Sequence, residues 1–330
     1  MSKGDVEALE QLSVTFAKIK AEIARIIVGQ EYVVEQLLIS LLARGHCLLI
    51  GVPGLAKTLL IRTLGDILDL KFSRIQFTPD LMPSDITGTE ILEENTSTGK
   101  KTFKFIHGPI FANLVLADEI NRTPPKTQSA LLEAMQEYKV TAAGETFPLT
   151  LPFFVLATQN PIEQEGTYPL PEAQLDRFMF NLWLDYPTFE EEKLVVMMTT
   201  GMDNVSVDKV VSQMEILKFQ ELVRKIPVAE NVVDFAVRLV SATRPVTDNP
   251  RSYIKEWIRW GAGPRASQYL ILGAKVHAAL GGKATPDISD VEAMALSVLR
   301  HRLVISYNAE AEGVNAADII ERLMKDVKGN

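Results

Sequence analysis

Short apolar runs alternate, over the first 187 residues, with stretches in which apolar residues recur at helical spacing. Five segments predict strands: residues 46–50, 72–77, 114–117, 153–158 and 178–184. Helical spacing predicts helices over residues 5–28, 31–43, 58–68 and 126–138. Buried strands that alternate with helices are typical of a mostly parallel sheet with helices on both faces, so we predict an α/β fold.

Two segments interrupt this alternation with turn residues between β-prone flanks. Residues 87–107 contain a turn of Gly, Ser, Thr and Asn, and residues 139–152 contain the turn Ala143-Gly144-Glu145. Both segments predict β-hairpins inserted into the α/β layout.

Predicted strands stop after Pro187, where helical patterns take over. Thr188 with Glu191, and later Ser289 with Glu292, have the spacing of a capping box. Helices are predicted from residue 188 and over 218–225, 229–242, 265–280, 288–305 and 315–327. We therefore predict an α/β domain over residues 1–187 and a smaller all-helical domain over residues 188–330.

Composition is that of an ordinary globular chain, and it narrows the function classes. The 330 residues are 47% apolar and 23% charged, with 34 basic and 42 acidic side chains and a net charge of −8. An acidic balance disfavours non-specific nucleic-acid binding, since phosphates attract clustered Lys and Arg. The single cysteine, Cys47, excludes an intrachain disulfide, and no histidine pair has zinc-ligand spacing. The polar N-terminus and the absence of a long apolar run lead us to expect a cytoplasmic protein without membrane insertion.

A phosphate-binding loop is the strongest chemical signal. It follows the first predicted strand, opens a helix, and reads Gly51-Val52-Pro53-Gly54-Leu55-Ala56-Lys57-Thr58. Such loops turn backbone N–H groups onto phosphate oxygens, while the lysine reaches the β- and γ-phosphates and the hydroxyl binds Mg²⁺. Ala56 stands where a second glycine is usual, and alanine fits there if its φ angle is negative. The alternative is a Gly/Pro turn that precedes Lys-Thr by chance.

Polar residues follow the next two buried strands. Asp118 and Glu119 end the strand at 114–117, so Asp118 suits a metal partner and Glu119 suits a general base for the attacking water. Asn160 ends the strand at 153–158. If that strand lies between the loop strand and the acidic strand, Asn160 is near the γ-phosphate and positions water. A solvated acidic turn and a polar Asn-Pro turn are the alternatives.

Two arginines occupy positions that suggest phosphate contacts. Arg177 precedes the fifth strand and can stabilise transition-state charge when a neighbouring subunit supplies it. Arg265 starts a helix of the second domain, where a cation opposes the helix dipole and a nucleotide phosphate is one explanation. The alternatives are ion pairs, of Arg177 with Asp176 and of Arg265 with a nearby carboxylate.

Taken in order, these motifs resemble the MoxR family of AAA+ ATPases over nearly the whole chain from about residue 25. The most specific stretches are residues 27–30, 51–58, 77–88, 118–137 and 157–161. The resemblance implies a P-loop NTPase core with a three-layer αβα arrangement and a parallel five-stranded sheet. It also implies that the two hairpins are the family's inserts, which tend to face the pore or the substrate side, and that residues 188–330 form a helical lid.

The resemblance also implies roles. Lys57 and Thr58 resemble Walker A, Asp118 and Glu119 Walker B, Asn160 sensor 1, Arg265 sensor 2 on the lid, and Arg177 a trans-acting arginine finger. Arg122 is a second candidate for the subunit interface. The nucleotide-binding set that it implies is Val28, Gly29, Gln30, Gly51, Val52, Pro53, Gly54, Leu55, Ala56, Lys57, Thr58, Leu59 and Arg265.

From the resemblance we expect ATP or ADP with Mg²⁺ bound between the α/β core and the lid, in a homo-oligomer of six subunits. Hydrolysis is expected to rotate the lid about a hinge near Pro187. The expected output is chaperone-like maturation or assembly of client proteins, often through partners with von Willebrand factor A domains.

Two rival functions share the phosphate loop. A nucleic-acid motor would use Lys100, Lys101 and Lys104 of the first hairpin, although three glutamates lie in the same segment. A small-molecule kinase is the other rival. Glu119 beside Asp118 argues against it, because a general base for water suits hydrolysis.

Overall fold

The computed structural model describes residues 3–94, 101–163, 166–201, 206–246 and 251–328. The strands are β1 (Cys47–Gly51), β2 (Phe72–Gln76), β3 (Gly88–Glu94), β4 (Lys101–His107), β5 (Leu114–Asp118), β6 (Lys139–Ala142), β7 (Glu145–Pro148), β8 (Phe154–Gln159), β9 (Phe180–Leu184), β10 (Ile258–Trp260) and β11 (Val304–Ile305). The helices are α1 (Lys3–Ala24), α2 (Glu31–Leu42), α3 (Lys57–Ile67), α4 (Pro83–Thr87), α5 (Pro125–Glu137), α6 (Glu172–Leu175), α7 (Phe189–Thr199), α8 (Gln213–Lys225), α9 (Glu230–Ala242), α10 (Ser252–Trp257), α11 (Pro264–Leu280), α12 (Ile288–Leu299), α13 (Tyr307–Ala311) and α14 (Ala316–Lys328).

The five predicted strands form one parallel sheet in the order β2-β5-β8-β1-β9. This confirms the predicted five-stranded α/β core. The carboxyl ends of parallel strands lie at one edge of a sheet, so the segments after β1, β5 and β8 emerge side by side. β8 separates β1 from β5, which is the arrangement that the sequence analysis required for Asn160.

The sheet is buried on both faces, which explains why its strands are nearly continuous apolar runs. Successive side chains point to opposite faces of a strand. Leu48 accordingly belongs to one apolar core with α5, whereas Leu49 belongs to the other with α1, α2 and α3. The second core continues into the C-terminal helices, through Phe235, Leu270 and Val291.

Both predicted insertions are antiparallel hairpins, β3–β4 and β6–β7, each a separate two-stranded sheet. The turn predicted for the first hairpin covers residues 93–99; Glu93 and Glu94 belong to β3, and residues 95–99 lie outside the described residues. The hairpins contact each other through aromatic rings. The Phe105 and Phe147 rings stack with centroids 4.4 Å apart, and His107 packs edge-on against Phe111 at 4.1 Å. The two insertions therefore share one small aromatic cluster.

The described residues after 187 are mostly helical, as predicted, with one addition. β10 pairs with β11 in a short antiparallel ladder. The helix predicted over 288–305 is too long, because α12 ends at Leu299 and the chain then turns into β11. Its capping box is Asp287 with Asp290, two residues earlier than the predicted Ser289 with Glu292, whereas Thr188 and Glu191 cap α7 as predicted. The domain boundary at residue 187 stays a prediction.

The C-terminal helices pack directly on the α/β core. α11 lies against α1 and α2, and α12 lies against β9. Among the described residues, no helix combines the length and the apolar character that a membrane span requires.

Candidate functional site

The phosphate loop connects β1 to α3 at the carboxyl edge of the sheet. Gly51 ends the strand and Lys57 begins the helix. The Lys57 ammonium folds back and donates to the Gly51 carbonyl at 2.5 Å. Burial lowers the pKa of Lys57, while the charges of Asp118 and Glu119 oppose that shift. The Lys57 charge thus interacts with the charges of both carboxylates. This is the arrangement expected where a phosphate-binding lysine lies next to a carboxylate that binds a cation.

The backbone at Ala56 contradicts the sequence analysis. Ala56 has φ +54° and ψ +23°, in the left-handed region, whereas the expectation was a negative φ. A β-carbon disfavours this region, which explains why a glycine is usual at this point of such loops. Ala56 is exposed, so its methyl group gains no packing in return. The loop therefore carries local backbone strain.

The two acidic residues at the carboxyl end of β5 are held by a buried hydroxyl. The Thr158 Oγ1 donates to Asp118 Oδ1 at 2.6 Å and accepts from the Glu119 backbone N–H at 2.9 Å. Thr158 lies on the neighbouring strand β8 and is buried. One side chain thus fixes the end of β5 relative to β8. The sequence analysis missed Thr158, because its role depends on which strand lies beside β5.

Each carboxylate also has a basic or amide partner. Arg74 Nη2 lies 2.6 Å from Asp118 Oδ2, and Gln76 Nε2 donates to Glu119 Oε2 at 2.8 Å. Arg122 Nη1 donates to the same Glu119 oxygen at 3.1 Å. Glu119 itself has φ +56°. Arg74 and Gln76 were also missed; they share one face of β2, and only the pairing of β2 with β5 brings them to the acidic pair.

Arg122 therefore lies beside the acidic pair of its own chain. Its guanidinium contacts Glu119 and, more distantly, Glu163 at 3.9 Å. This placement does not present Arg122 to a second subunit as a free cation.

Asn160 follows β8, between the phosphate loop and the acidic pair. Its Oδ1 accepts from the Ile162 backbone N–H at 3.1 Å, which fixes the side-chain orientation. No described residue accepts a hydrogen bond from its Nδ2. The amide is buried and its Nδ2 has no acceptor among the described residues, so a bound oxygen ligand could accept from it.

The residues present fit a magnesium ion held jointly with nucleotide phosphates. Mg²⁺ prefers oxygen ligands, keeps several waters, and is held by one or two carboxylates together with substrate phosphates. Thr58 and Asp118 supply one hydroxyl and one carboxylate at the carboxyl edge. The described residues hold no cluster of three or more His, Cys, Asp or Glu side chains arranged for a metal.

A largely apolar cavity of about 340 Å³ opens beside the phosphate loop. Val28, Gly29 and Gln30 form one wall, Leu55 and Leu59 of the loop another, and residues 185–187 with α7 close it. The Gln30 Nε2 donates weakly to the Leu55 carbonyl at 3.4 Å, and its buried Oε1 has no partner among the described residues. An unpaired buried acceptor in an apolar wall suits the donor edge of a flat heterocycle.

Arg177 and Arg265 lie elsewhere, at the amino edge of the sheet. Arg177 precedes β9, whose first residue pairs with Cys47 at the start of β1. β1 alone spans roughly 13 Å, so this edge is remote from the phosphate loop of the same chain. Both arginines line a cavity of about 140 Å³ together with Arg44. The structure thus brings the two arginines together and does not bring Arg265 to its own phosphate loop.

Arg265 forms the ion pair with a nearby carboxylate that the sequence analysis gave as the alternative to a phosphate contact. Its Nη1 lies 3.0 Å from Asp176 Oδ2, and Asp176 Oδ1 accepts from Arg302 Nε at 2.8 Å. Arg177 is not paired with Asp176. Its guanidinium forms no hydrogen bond or ion pair with any residue that the structure describes.

Comparison with known proteins places the chain among ATPases. A model of the ATPase family associated with various cellular activities (AAA) matches residues 46–180, and a model of the AAA lid domain matches residues 251–323. The chain is 44% identical to Chaperone MoxR1 of Mycobacterium tuberculosis over 324 residues, which cover 98% of this chain and 85% of that protein. It is 41% identical over 320 residues to YeaC of Bacillus subtilis, whose function is uncharacterised, covering 97% and 96%. A crystal structure of a proposed ATPase from Cytophaga hutchinsonii superposes with a TM-score of 0.90 and 43% identity, over 97% of this chain and 96% of that one.

Proposed function

We propose, because the chain belongs to the MoxR family of AAA+ ATPases, that it hydrolyses ATP and uses the energy for chaperone-like remodelling or assembly of partner proteins. The observation that carries this proposal is the sheet order. It sets the phosphate loop, Asn160 and the pair Asp118–Glu119 side by side at one edge. Water activation next to a bound γ-phosphate requires these groups together.

In this proposal the loop residues 51–58 bind the phosphates, with Lys57 on the β- and γ-oxygens and Leu59 beside the base. Val28, Gly29 and Gln30 form the wall against adenine. Thr58 and Asp118 hold Mg²⁺, which when bound neutralises charge on the phosphate oxygens. Glu119 accepts the proton of the attacking water, and the Asn160 amide orients that water.

The arginines support a subunit arrangement in which each site is completed by a neighbour. Arg177 is unpaired among the described residues and lies with Arg265 at the edge opposite the phosphate loop. Head-to-tail contacts of one edge with the other form a ring when the rotation between neighbouring subunits closes. We therefore propose that both arginines act on the neighbour's nucleotide, in a homo-oligomer of six. Arg265 is thereby reassigned from its own site, and Arg122, bonded to Glu119, is the weaker candidate for the trans-acting finger.

Client proteins and adaptors, including proteins with von Willebrand factor A domains, are the proposed partners, in the cytoplasm. The relative from Mycobacterium tuberculosis is named a chaperone. The aromatic cluster of Phe105, His107, Phe111 and Phe147 supports a client-facing role for the hairpins acting as one unit.

The charges of the first hairpin weigh against the nucleic-acid motor. Lys101 faces Glu94 at 3.7 Å, and Lys104 faces Glu93 at 3.3 Å. Each described lysine of the hairpin thus has a glutamate partner on the neighbouring strand. Phosphate binding requires cations that are available to the backbone of the nucleic acid.

Substitution of Glu119→Gln tests the proposal, with Glu133→Gln on the exposed face of α5 as the matched control. The Glu119 variant should bind ATP as the wild type does and lose hydrolysis by about 10²–10⁴-fold, since general-base catalysis contributes that much. Trapped in ATP, it should retain a client or adaptor protein on affinity capture. Phosphoryl transfer to a small molecule by this variant, or salt-sensitive stimulation of the wild type by DNA with capture of nucleic acid alone, would overturn the proposal.

A further inference from the structure

A buried arginine outside the ATP site joins the C-terminal helices to the segment that carries Arg177. Arg302 lies between α12 and β11, and its side chain is only 2% exposed. Its Nε donates to Asp176 Oδ1 at 2.8 Å. Its two Nη atoms donate to the carbonyls of Asp176 at 2.9 Å, Phe178 at 2.7 Å and Met179 at 3.3 Å, and to that of Val298.

This set of contacts satisfies a cation that would otherwise be costly to bury. An arginine has five N–H donors in a rigid planar fork, and here each nitrogen has at least one acceptor. Removing a buried charge from its partners is strongly unfavourable, so the fork and the segment 176–179 keep their relative position. Breaking the contact requires the loss of several hydrogen bonds at once.

Arg177 lies in the middle of the clamped segment. The carbonyls on either side of it are bonded to Arg302, and its own carbonyl accepts from the Tyr269 hydroxyl at 3.3 Å. His301 adds a further contact to the Phe178 carbonyl at 3.1 Å. The backbone of Arg177 is therefore fixed from α11 and from the turn after α12, whereas its guanidinium has no partner among the described residues.

Arg265 depends on the same anchor through Asp176. The Asp176 carboxylate is shared, with one oxygen on Arg302 and the other on Arg265. Arg302 holds Asp176 in place, and Asp176 in turn orients the Arg265 guanidinium towards the cavity that Arg177 also lines. A single buried side chain thus sets the geometry of both arginines.

We propose that Arg302, through Asp176, is a positioning residue that fixes the two trans-acting arginines, so that hydrolysis in a neighbouring subunit depends on the helical lid of the subunit that supplies them. This inference rests on the proposed function. A displacement of α12 moves Arg302, and with it the segment that bears Arg177. Misplacement by about 1 Å of a group that acts on a transition state can lower the rate 10²-fold.

The test uses mixed full-length subunits, because a positioning role in trans can be rescued by a neighbour. Arg302→Lys keeps the charge and loses the planar fork, and Asp176→Asn removes the shared charge at a partly exposed site. Either variant alone should lose ATPase kcat by at least about tenfold, with little change in the Kd for a fluorescent ATP analogue at its own site. Arg251→Lys, whose partner Asp326 also lies in the C-terminal helices, is the matched control and should keep wild-type activity.

Mixing each variant with Glu119→Gln subunits should restore activity. The Glu119 variant has no working site and still supplies intact arginines. When the two variants are mixed one to one and assemble at random into head-to-tail rings, about a quarter of the interfaces join a site with Glu119 to a neighbour with correctly placed arginines. Roughly a quarter of wild-type activity should therefore return. Arg177→Ala mixed with Glu119→Gln is the reference pair.

Three outcomes decide the matter. Restoration in the reference pair and in the Arg302 or Asp176 mixtures supports the inference. Restoration in the reference pair alone means that Arg302 and Asp176 only stabilise the fold, and overturns the inference while leaving the proposed function intact. No restoration in the reference pair overturns the trans arrangement itself. If Arg302→Lys fails to melt cooperatively by circular dichroism, the Asp176→Asn mixture decides.

Discussion

Replacing Ala56 by glycine is expected to stabilise the chain, although the same change lowers the stability of an ordinary helix. Ala56 has φ +54° and is exposed, so its methyl group strains the backbone without burying apolar surface. A β-carbon in the left-handed region costs about 1–2 kcal/mol, which the substitution removes. Glycine has more freedom in the unfolded chain, and this offsets about 0.5–1 kcal/mol of the stabilisation. The free energy of unfolding should therefore rise by about 0.5–1 kcal/mol.

Urea unfolding followed by far-ultraviolet circular dichroism measures this difference. Ala21→Gly is the matched control, because Ala21 is an exposed residue inside α1 with ordinary helical geometry. The control should lower the free energy of unfolding by about 1 kcal/mol. The two substitutions thus have opposite expected signs with the same change of atoms. If Ala56→Gly lowers stability as much as Ala21→Gly does, the left-handed conformation at Ala56 is wrong.

Three further predictions follow from buried or paired groups. Thr158→Val should lower stability by about 2–3 kcal/mol and reduce ATPase kcat, because it removes hydrogen bonds to Asp118 and to the Glu119 backbone. Burial lowers the pKa of His46 to about 4 from 6.5, so the unfolded chain binds more protons than the folded chain between those values. The free energy of unfolding should accordingly fall by up to about 3 kcal/mol as the pH drops through that window, and His46→Asn should lose that part of the pH dependence. Phe147→Leu should break the stack with Phe105 and speed amide exchange in β3–β4 but not in the central sheet.

Each of these has its own control. Thr158→Ser keeps the hydroxyl and should keep most activity; equal losses in both variants would show that packing, and not hydrogen bonding, matters. For His46, urea unfolding is measured at pH 8 and pH 5, and an unchanged difference between the two in the Asn variant contradicts the assignment. For Phe147, exchange that quickens throughout the sheet would mean global destabilisation.

Much of the fold followed from local patterns. Apolar runs predicted the five strands, and turn residues predicted both hairpins, because strand burial and turn geometry each depend on the residue types within a short segment. The β10–β11 ladder escaped prediction, since β11 has two residues and its pairing partner lies more than 40 residues away. The end of α12 was missed for a related reason. Its apolar spacing continues to residue 305, while the chain turns to bring Arg302 onto the core.

The motifs of the proposed ATP site were readable because phosphate binding is a local property of one loop. Gly51 to Thr58 supply glycine, lysine and hydroxyl in one turn between strand and helix, and the acidic pair ends its own strand. The residue types and their spacing indicate the chemistry of such groups. Only the sheet order decided that Asn160 lies between them, and only it brought Arg74 and Gln76 to the carboxylates.

The sequence by itself determined the fold class, the phosphate loop and the acidic pair, and the tertiary structure alone decided where the arginines lie. Arg265 and Arg177 are 88 residues apart in the chain and share one cavity, far from the loop that the sequence analysis assigned to Arg265. Arg302 gave no signal in the sequence, since an arginine after a helix is ordinarily solvated. Its role depends on burial against carbonyl groups more than 120 residues away, and burial is a property of the folded chain rather than of any segment.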